Sequence, residues 1–258
     1  MTTDDPLRYD GRTILITGGC GELGLPIVQA LWDRGAEVLV NDILPHRKAR
    51  QLLPESDRIA YFRSATEDRE QAEALVRSSV EAFGRLPDSV LCHAGSVASH
   101  PVETFPVDEF DRIMAANVRS AFLLAQVSAS AWKRTSASGH LIFTSSWVAQ
   151  TPWPGIAPYS ASKAAINALM RSFARELAPF AIRANAIAPG IVAAGMALRQ
   201  WNEETDYRNR ASKAIPLGRL QEPSSVADAF LFLCSTMASY MTGSVLTVDG
   251  GCSLYPMD

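Results

Sequence analysis

Short runs of apolar and β-branched residues recur along the chain, and each run is four to six residues long. Uninterrupted apolar runs of this length are typical of strands that are buried on both faces of a sheet. The pattern therefore predicts about seven strands, at Thr13–Thr17, Glu37–Asn41, Ile59–Arg63, Ser89–Cys92, His140–Ser145, Ile182–Ile187 and Val245–Val248.

Longer segments with the helical spacing of apolar residues separate these runs. The predicted helices are Glu22–Arg34, Arg69–Phe83, Val107–Trp132, Pro158–Leu177 and Ser224–Cys234. Strands that alternate with helices form right-handed βαβ units, and such units build a parallel sheet covered on both faces. The 258 residues contain no repeat and no linker, so we predict a single α/β domain with a doubly wound sheet.

The segment from residue 191 to residue 216 interrupts this alternation after the sixth strand. It is rich in alanine, arginine, asparagine and glutamate, and it contains Trp201. Ligands of open parallel sheets bind beyond the carboxyl ends of the strands, where a long insertion can cover them. We therefore predict that this segment is a lid over a substrate.

Composition changes the picture only by removing classes of function. The net charge is -3 and no basic block occurs, so a nucleic-acid partner is not expected. The apolar runs are shorter than a membrane span, and the polar N-terminus lacks the features of a leader, so we expect a cytoplasmic protein. The four cysteines and four histidines lack the spacing of metal ligands, and no metal is expected.

A glycine-rich turn links the first predicted strand to the first predicted helix. It contains Gly18, Gly21 and Leu23, and Glu22 begins the helix. Glycines at this place let the backbone approach a pyrophosphate, and the helix N-terminus offers free N–H groups to it. The turn predicts a dinucleotide site, with tight packing of the turn without a ligand as the alternative.

Asp42 lies at the end of the second strand, about 20 residues after the turn. A carboxylate here accepts hydrogen bonds from an adenosine ribose and repels a 2′-phosphate. The sequence therefore favours NAD over NADP. Arg47 and Lys48 follow closely and keep NADP open, and a simple turn-capping role for Asp42 is the other alternative.

Four residues suggest proton-transfer chemistry. Tyr159 and Lys163 are one helical turn apart, so both side chains can face one pocket, where the ammonium would favour the phenolate. Ser146 follows the fifth strand and can bond a carbonyl or alcohol oxygen. Asn117 is a poor helix former inside a long predicted helix, and its amide can hold a water near Lys163. Together they predict a general acid–base site built on Tyr159.

At these residues the sequence resembles the short-chain dehydrogenase/reductase family, in its common subfamily of about 250 residues. The resemblance covers roughly residues 10–252 and includes the C-terminal signature Val248–Gly251. It implies a Rossmann-type fold, a homotetramer, and Asn117, Ser146, Tyr159 and Lys163 as a catalytic tetrad. The positions that it implies for cofactor binding are Gly18, Gly21, Glu22, Leu23, Asp42, Ala94, Gly95, Tyr159, Lys163, Pro189, Gly190 and Val192.

Several positions depart from the family pattern. The turn carries Glu22 where the subfamily has glycine, and His93 stands where an asparagine usually supports the sheet. Ser64 and Ala65 replace an aspartate that often contacts adenine, and alanine at Ala194 occupies the neighbourhood of a threonine that bonds the carboxamide. Each loss is expected to weaken cofactor binding by about 1 kcal/mol.

The predicted substrate pocket combines aromatic walls with few polar groups. Its predicted residues are Ser146, Trp147, Gln150, Trp153, Tyr159 and Met196, with Trp201, His93 and His100 nearby. Such walls favour a sugar, a polyol or a cyclic alcohol, and no arginine cluster marks a phosphate group. The leading hypothesis is an NAD(P)-dependent enzyme that interconverts a secondary alcohol and a ketone. The alternatives are an NADPH-dependent 3-oxoacyl reductase and a nicotinamide-binding sensor without catalysis.

Overall fold

The computed structural model describes residues 5–254. Its strands are β1 (Thr13–Thr17), β2 (Glu37–Asp42), β3 (Ile59–Arg63), β4 (Ser89–Cys92), β5 (Gly139–Thr144), β6 (Ile182–Pro189) and β7 (Val245–Val248). Its α-helices are α1 (Gly24–Asp33), α2 (His46–Leu52), α3 (Arg69–Phe83), α4 (Val107–Met114), α5 (Ser120–Thr135), α6 (Ala157–Leu177), α7 (Gly195–Glu203), α8 (Thr205–Ala214) and α9 (Pro223–Cys234).

The seven strands form one parallel sheet in the order β3-β2-β1-β4-β5-β6-β7. The order reverses between β1 and β4, which is the switch point at which a doubly wound sheet opens a crevice. This confirms the predicted Rossmann-type sheet. The residues that follow β1, β2, β4, β5 and β6 meet at one edge.

Two apolar layers cover the sheet. Along β1, Ile14 and Ile16 contact the layer of α1 and α9, while Leu15 faces the opposite layer of α3, α5 and α6. This alternation follows from the two-residue period of a strand. In the second layer Trp132 covers Gly139, where an added Cβ would lie 2.3 Å from the indole ring, so the start of β5 has room only for glycine.

The long helix that the sequence predicts over Val107–Trp132 is interrupted. A π-helical turn at Ala115–Arg119 separates α4 from α5 and contains Asn117. Single π-turns of this kind are frequent at functional sites. The short helix α2 was not predicted from the sequence, because Ala49 is its one buried residue and it therefore lacks an apolar stripe.

The segment after β6 forms the helices α7 and α8. A third apolar cluster joins it to the loop that follows β5, through Tyr207 and Ile215 on one side and Trp147 and Ile156 on the other. The segment thus lies beside the carboxyl end of the sheet. In residues 5–254 no helix has the length and apolarity that a membrane crossing needs.

Candidate active site

A cavity of about 620 Å³ opens at the carboxyl ends of the strands. Walls come from the glycine-rich turn, the ends of β2, β4, β5 and β6, the start of α6, and α7 and α8. The predicted residues that line it are Gly18, Gly21, Glu22, Leu23, Asp42, Ala94, Gly95, Ser146, Trp147, Trp153, Tyr159, Lys163, Gly190, Val192 and Met196.

The glycine-rich turn is shaped by close backbone contacts. Gly18 has a φ of +68°, and a Cβ there would lie 2.9 Å from the Cα of Ala94. A Cβ on Gly24 would lie 2.2 Å from the carbonyl oxygen of Gly18. The first turn of α1 has no side-chain cap and no acidic residue, so its N–H groups are available to an anion. The turn therefore fits the pyrophosphate of a dinucleotide.

Asp42 is fixed at the adenosine end that the sequence predicts for the cavity. One carboxylate oxygen accepts a hydrogen bond from the N–H of Cys20 (3.0 Å), and the other accepts from Ile43 (2.8 Å) and Leu44 (3.2 Å). The turn-capping alternative is thus part of the geometry, but each oxygen retains capacity for a ribose hydroxyl. Glu67, which the sequence did not suggest, lines the same end.

Tyr159 and Lys163 project from the first turns of α6. The Nζ atom of Lys163 lies 5.3 Å from the centre of the Tyr159 ring and donates a hydrogen bond to the carbonyl oxygen of Thr144 (2.8 Å). Ser146, directly beyond β5, accepts a weak bond from the N–H of Val148 (3.4 Å), which leaves its hydroxyl hydrogen free to donate. Three sequence-predicted residues thus reach one wall of the cavity.

Burial controls the protonation of this pair. Desolvation raises the pKa of Tyr159 to about 12, while a hydrogen bond with Ser146 acts in the opposite direction. Desolvation also lowers the pKa of Lys163 to about 8. The expected lowering of the tyrosine pKa by the ammonium is therefore outweighed in the protein alone, because both groups are withdrawn from water. At neutral pH the phenol carries its proton.

Asn117 has a structural task that differs from the one predicted. Its Oδ1 accepts a hydrogen bond from the N–H of Ser96 (2.7 Å), and its Nδ2 donates to the Ser96 carbonyl and the Ser162 hydroxyl (both 3.0 Å). Both amide hydrogens are used, so the amide does not donate to a water as the sequence suggested. Instead, Asn117 ties the loop after β4 to α6, one residue before Lys163.

His93 replaces the sheet contact that the sequence analysis considered lost. Its ring Nδ1 lies 2.9 Å from the Thr144 hydroxyl, and the N–H groups of His93 and Ala94 both donate to the Thr17 hydroxyl. The ring therefore connects the ends of β1, β4 and β5. Burial and the nearby Lys163 lower the pKa of His93 to about 4, so the imidazole is neutral in this position.

Glu22 connects the glycine-rich turn to the lid segment. Its Oε2 accepts a hydrogen bond of 2.6 Å from the N–H of Gly195, the first residue of α7. A carboxylate is favourable at a helix N-terminus because the free N–H groups carry partial positive charge. The side chain predicted to be awkward beside a phosphate is thus turned towards the lid.

Some predicted residues lie elsewhere. Gln150 is exposed and does not line the cavity, and Pro189 lies behind Gly190 at the end of β6. Trp201 packs into the third apolar cluster, and His100 pairs with Glu109 at 3.0 Å. Residues that the sequence analysis missed on the cavity wall include Ser96, Gln200, Tyr207 and Arg210. Their signal was the spacing of α8 alone, because Tyr207 and Arg210 are three residues apart and share a face.

In residues 5–254 no group of three or more histidine, cysteine or acidic side chains has the arrangement of a metal site. The chemistry available to the cavity is therefore that of a phenol, a hydroxyl and an ammonium beside a dinucleotide cleft.

Comparison with known proteins agrees with this arrangement. A family model described as enoyl-(acyl carrier protein) reductase matches residues 22–253. Together with the relatives below, this match shows that the chain belongs to the short-chain dehydrogenase/reductase family of oxidoreductases, whose members bind a nicotinamide cofactor.

Two curated relatives align over almost the whole chain. Glucose 1-dehydrogenase of Gluconobacter oxydans is 31% identical, and the match covers 96% of this chain and 94% of that protein. The 3alpha-hydroxysteroid dehydrogenase of Mediterraneibacter gnavus is 34% identical over 95% of this chain and 98% of that protein. The printed activities differ, so these relatives agree on the class of reaction and not on a substrate.

A solved structure supports the same fold. The 3-ketoacyl-(acyl-carrier-protein) reductase of Brucella melitensis, described as complexed with NADH, superposes with a TM-score of 0.84 at 28% identity. The match covers 95% of this chain and 100% of that one.

Proposed function

We propose that the protein interconverts a secondary alcohol and a ketone by hydride transfer, with NAD as the preferred cofactor. The observation that carries this proposal is the convergence of Ser146, Tyr159 and Lys163 on one wall of the dinucleotide cleft. A nicotinamide cofactor supplies or accepts the hydride. The side chains of this wall handle the substrate oxygen and its proton.

Each side chain has a role that follows from its surroundings. Ser146 donates its free hydroxyl hydrogen to the substrate oxygen and holds that oxygen near the phenol. Tyr159 gives its proton to the oxygen during reduction and removes it during oxidation. Lys163 uses one of its three N–H groups on Thr144, so two remain for a ribose hydroxyl or for the phenolate. Its positive charge stabilises the phenolate when the cofactor and substrate exclude water from the cavity.

The preference for NAD rests on charge at the adenosine end. Asp42 and Glu67 both line this part of the cavity, and each would repel a 2′-phosphate. Arg47 and Lys48, which kept NADP open in the sequence, are exposed on α2 and do not line the cavity. The geometry therefore supports NAD more strongly than the sequence did.

The segment from residue 191 to residue 216 is the proposed lid. Its helices α7 and α8 supply Met196, Gln200, Tyr207 and Arg210 to the cavity wall. In this arrangement the lid closes over the substrate half, while the sheet and α6 hold the catalytic groups. We further propose the homotetramer that the family resemblance implies, which light scattering coupled to gel filtration would test.

The test is turnover with both cofactors. Purified protein is offered a panel of cyclic alcohols, polyols, sugars, ketones and 3-oxoacyl thioesters, each with NAD(H) and with NADP(H), and absorbance at the nicotinamide band is followed. We expect reduction or oxidation of cyclic substrates with a higher kcat/KM for NAD(H). Selective use of NADPH with 3-oxoacyl thioesters would favour the reductase alternative. Cofactor binding without any turnover would favour the non-catalytic sensor.

A further inference from the structure

A cation stands at the outer end of the substrate half of the cavity. Arg210 on α8 lines the main cavity and also a second one of about 530 Å³, which lies between α8 and the loop after β5. Trp153 also borders both cavities. Arg210 and Trp153 therefore mark the junction through which a substrate longer than one ring would extend.

The guanidinium group of Arg210 is held by an aromatic ring and not by an acid. Its Cζ lies 5.0 Å from the centre of the Trp153 ring. Asp206 is one helical turn earlier, yet in residues 5–254 Arg210 makes neither an ion pair nor a hydrogen bond. Stacking on a ring orients the planar group while leaving its N–H edge available.

The walls between Arg210 and the catalytic groups are apolar. The rings of Trp147, Trp153 and Tyr207 contact one another edge to face, with centres 5.5 Å and 6.0 Å apart along that series. Met196 and Ile156 complete this part of the lining. A sugar or small polyol would leave most of its hydroxyl groups without partners against such walls.

Acidic residues of the main cavity lie away from this region. Asp42 and Glu67 are at the adenosine end, and Glu22 is bonded to Gly195. In the second cavity Lys213 adds a positive charge and Asp206 a negative one. The charge facing the outer end of the substrate is therefore positive on balance.

We propose that Arg210 binds a carboxylate of the substrate, and that the preferred substrate is a ring-bearing, largely apolar secondary alcohol or ketone with that carboxylate several bonds from the reacting carbon. This inference rests on the proposed function and names its substrate class. It replaces the neutral sugar or polyol that the sequence favoured. An arginine edge matches a carboxylate with two parallel hydrogen bonds, and the aromatic series accommodates the apolar body.

Binding of a matched pair of non-reacting ligands tests Arg210 directly. Protein saturated with NAD⁺ is titrated calorimetrically with cyclohexanebutanoate and with cyclohexanebutanamide, which differ in charge but little in shape. We expect the acid to bind about tenfold more tightly, the effect of a charge-assisted hydrogen bond. In Arg210→Gln the two affinities should agree within about twofold. Arg208→Gln removes the same charge from the same helix outside both cavities, and it should keep the full preference.

Equal binding of acid and amide to the wild-type protein would overturn the inference, as would a preference that survives in Arg210→Gln. A thermal melt of each variant checks that it is folded. Turnover of 4-(4-oxocyclohexyl)butanoate is measured separately. If the acid preference depends on Arg210 but no ketone is reduced, the proposed function fails while the anion site remains, so the two failures are distinguishable.

Discussion

The catalytic wall, formed by Asn117, Ser146, Tyr159 and Lys163, contrasts with the lid at residues 191–216. In the wall, Asn117, Ser146 and Lys163 are buried, and Tyr159 alone is partly exposed, towards the cavity. In the lid helices, α7 has no buried residue and α8 has two, Tyr207 and Ala211. The cavity is therefore rigid on one side and lightly packed on the other.

The difference in packing separates chemistry from specificity. A proton donor must keep its position within a fraction of an ångström, and the wall achieves this with hydrogen bonds between β4, β5, the π-turn and α6. The lid meets the substrate through exposed side chains whose replacement disturbs no core. Lightly packed segments also open at low free-energy cost, which entry of cofactor and substrate requires.

The largest effect is expected from removing the charge in the wall. Lys163→Met deletes the ammonium beside Tyr159 and the donors available to a ribose hydroxyl. We expect kcat to fall at least about 100-fold and the cofactor to bind more weakly, because general acid–base catalysis contributes about 10² to 10⁴. Steady-state kinetics and NADH fluorescence titration measure the two effects. An active Lys163→Met variant would show that the wall does not act as a unit.

A smaller effect is expected where the wall side of the cleft meets the lid. Glu22→Ala removes the carboxylate that holds the N-terminus of α7, so the lid should open more readily. We expect NADH to dissociate about three to ten times faster, the range of one hydrogen bond. Stopped-flow displacement of NADH measures the rate. Glu203→Ala, an exposed acid at the other end of α7, is the matched control.

Slower release from Glu22→Ala would contradict this account. That outcome would show that Glu22 acts mainly by repelling the pyrophosphate and not by holding the lid.

The smallest effect concerns the support beneath the wall and depends on pH. Burial lowers the pKa of His93 in the folded protein to about 4, below the unfolded value of about 6.5, so between these values the unfolded state binds more protons. Stability is therefore present above pH 6.5 and is lost as the pH falls towards 4. His93→Asn should lose less stability than wild type between pH 7 and pH 5, as measured by thermal melts.

His140 contributes in the same direction and remains in the variant, because burial lowers its pKa as well. Some loss of stability at low pH is thus expected in both proteins. Identical losses in wild type and His93→Asn would show that His93 is not a buried neutral imidazole.

The regular part of the molecule was predictable from local pattern. All seven strands were expected within a few residues, because strands buried on both faces read as continuous apolar runs. The positions of Ser146, Tyr159 and Lys163 in the cavity wall also followed, since a strand end and one helical turn fix where they lie. The Rossmann-type crevice followed from the alternation of strands and helices.

The remaining features depend on contacts between distant residues. The π-turn at Asn117 is tied to Ser96 and Ser162, and the sequence pattern of one helix does not contain such partners. Gln150 was expected in the cavity, but the loop after β5 turns it outward. Arg210 was overlooked because its value as a recognition group depends on Trp153, which lies more than fifty residues earlier. Specificity was therefore less predictable than chemistry.

The central claim is that Tyr159 transfers the proton while the rest of the wall and the cleft hold cofactor and substrate. The most direct test is Tyr159→Phe, which removes only the phenolic hydroxyl. For a ketone that the wild-type protein reduces, NADH oxidation in a single turnover should slow by about 10² to 10⁴, and the Kd for NADH should change less than about twofold. Retention of most of the single-turnover rate would contradict the claim.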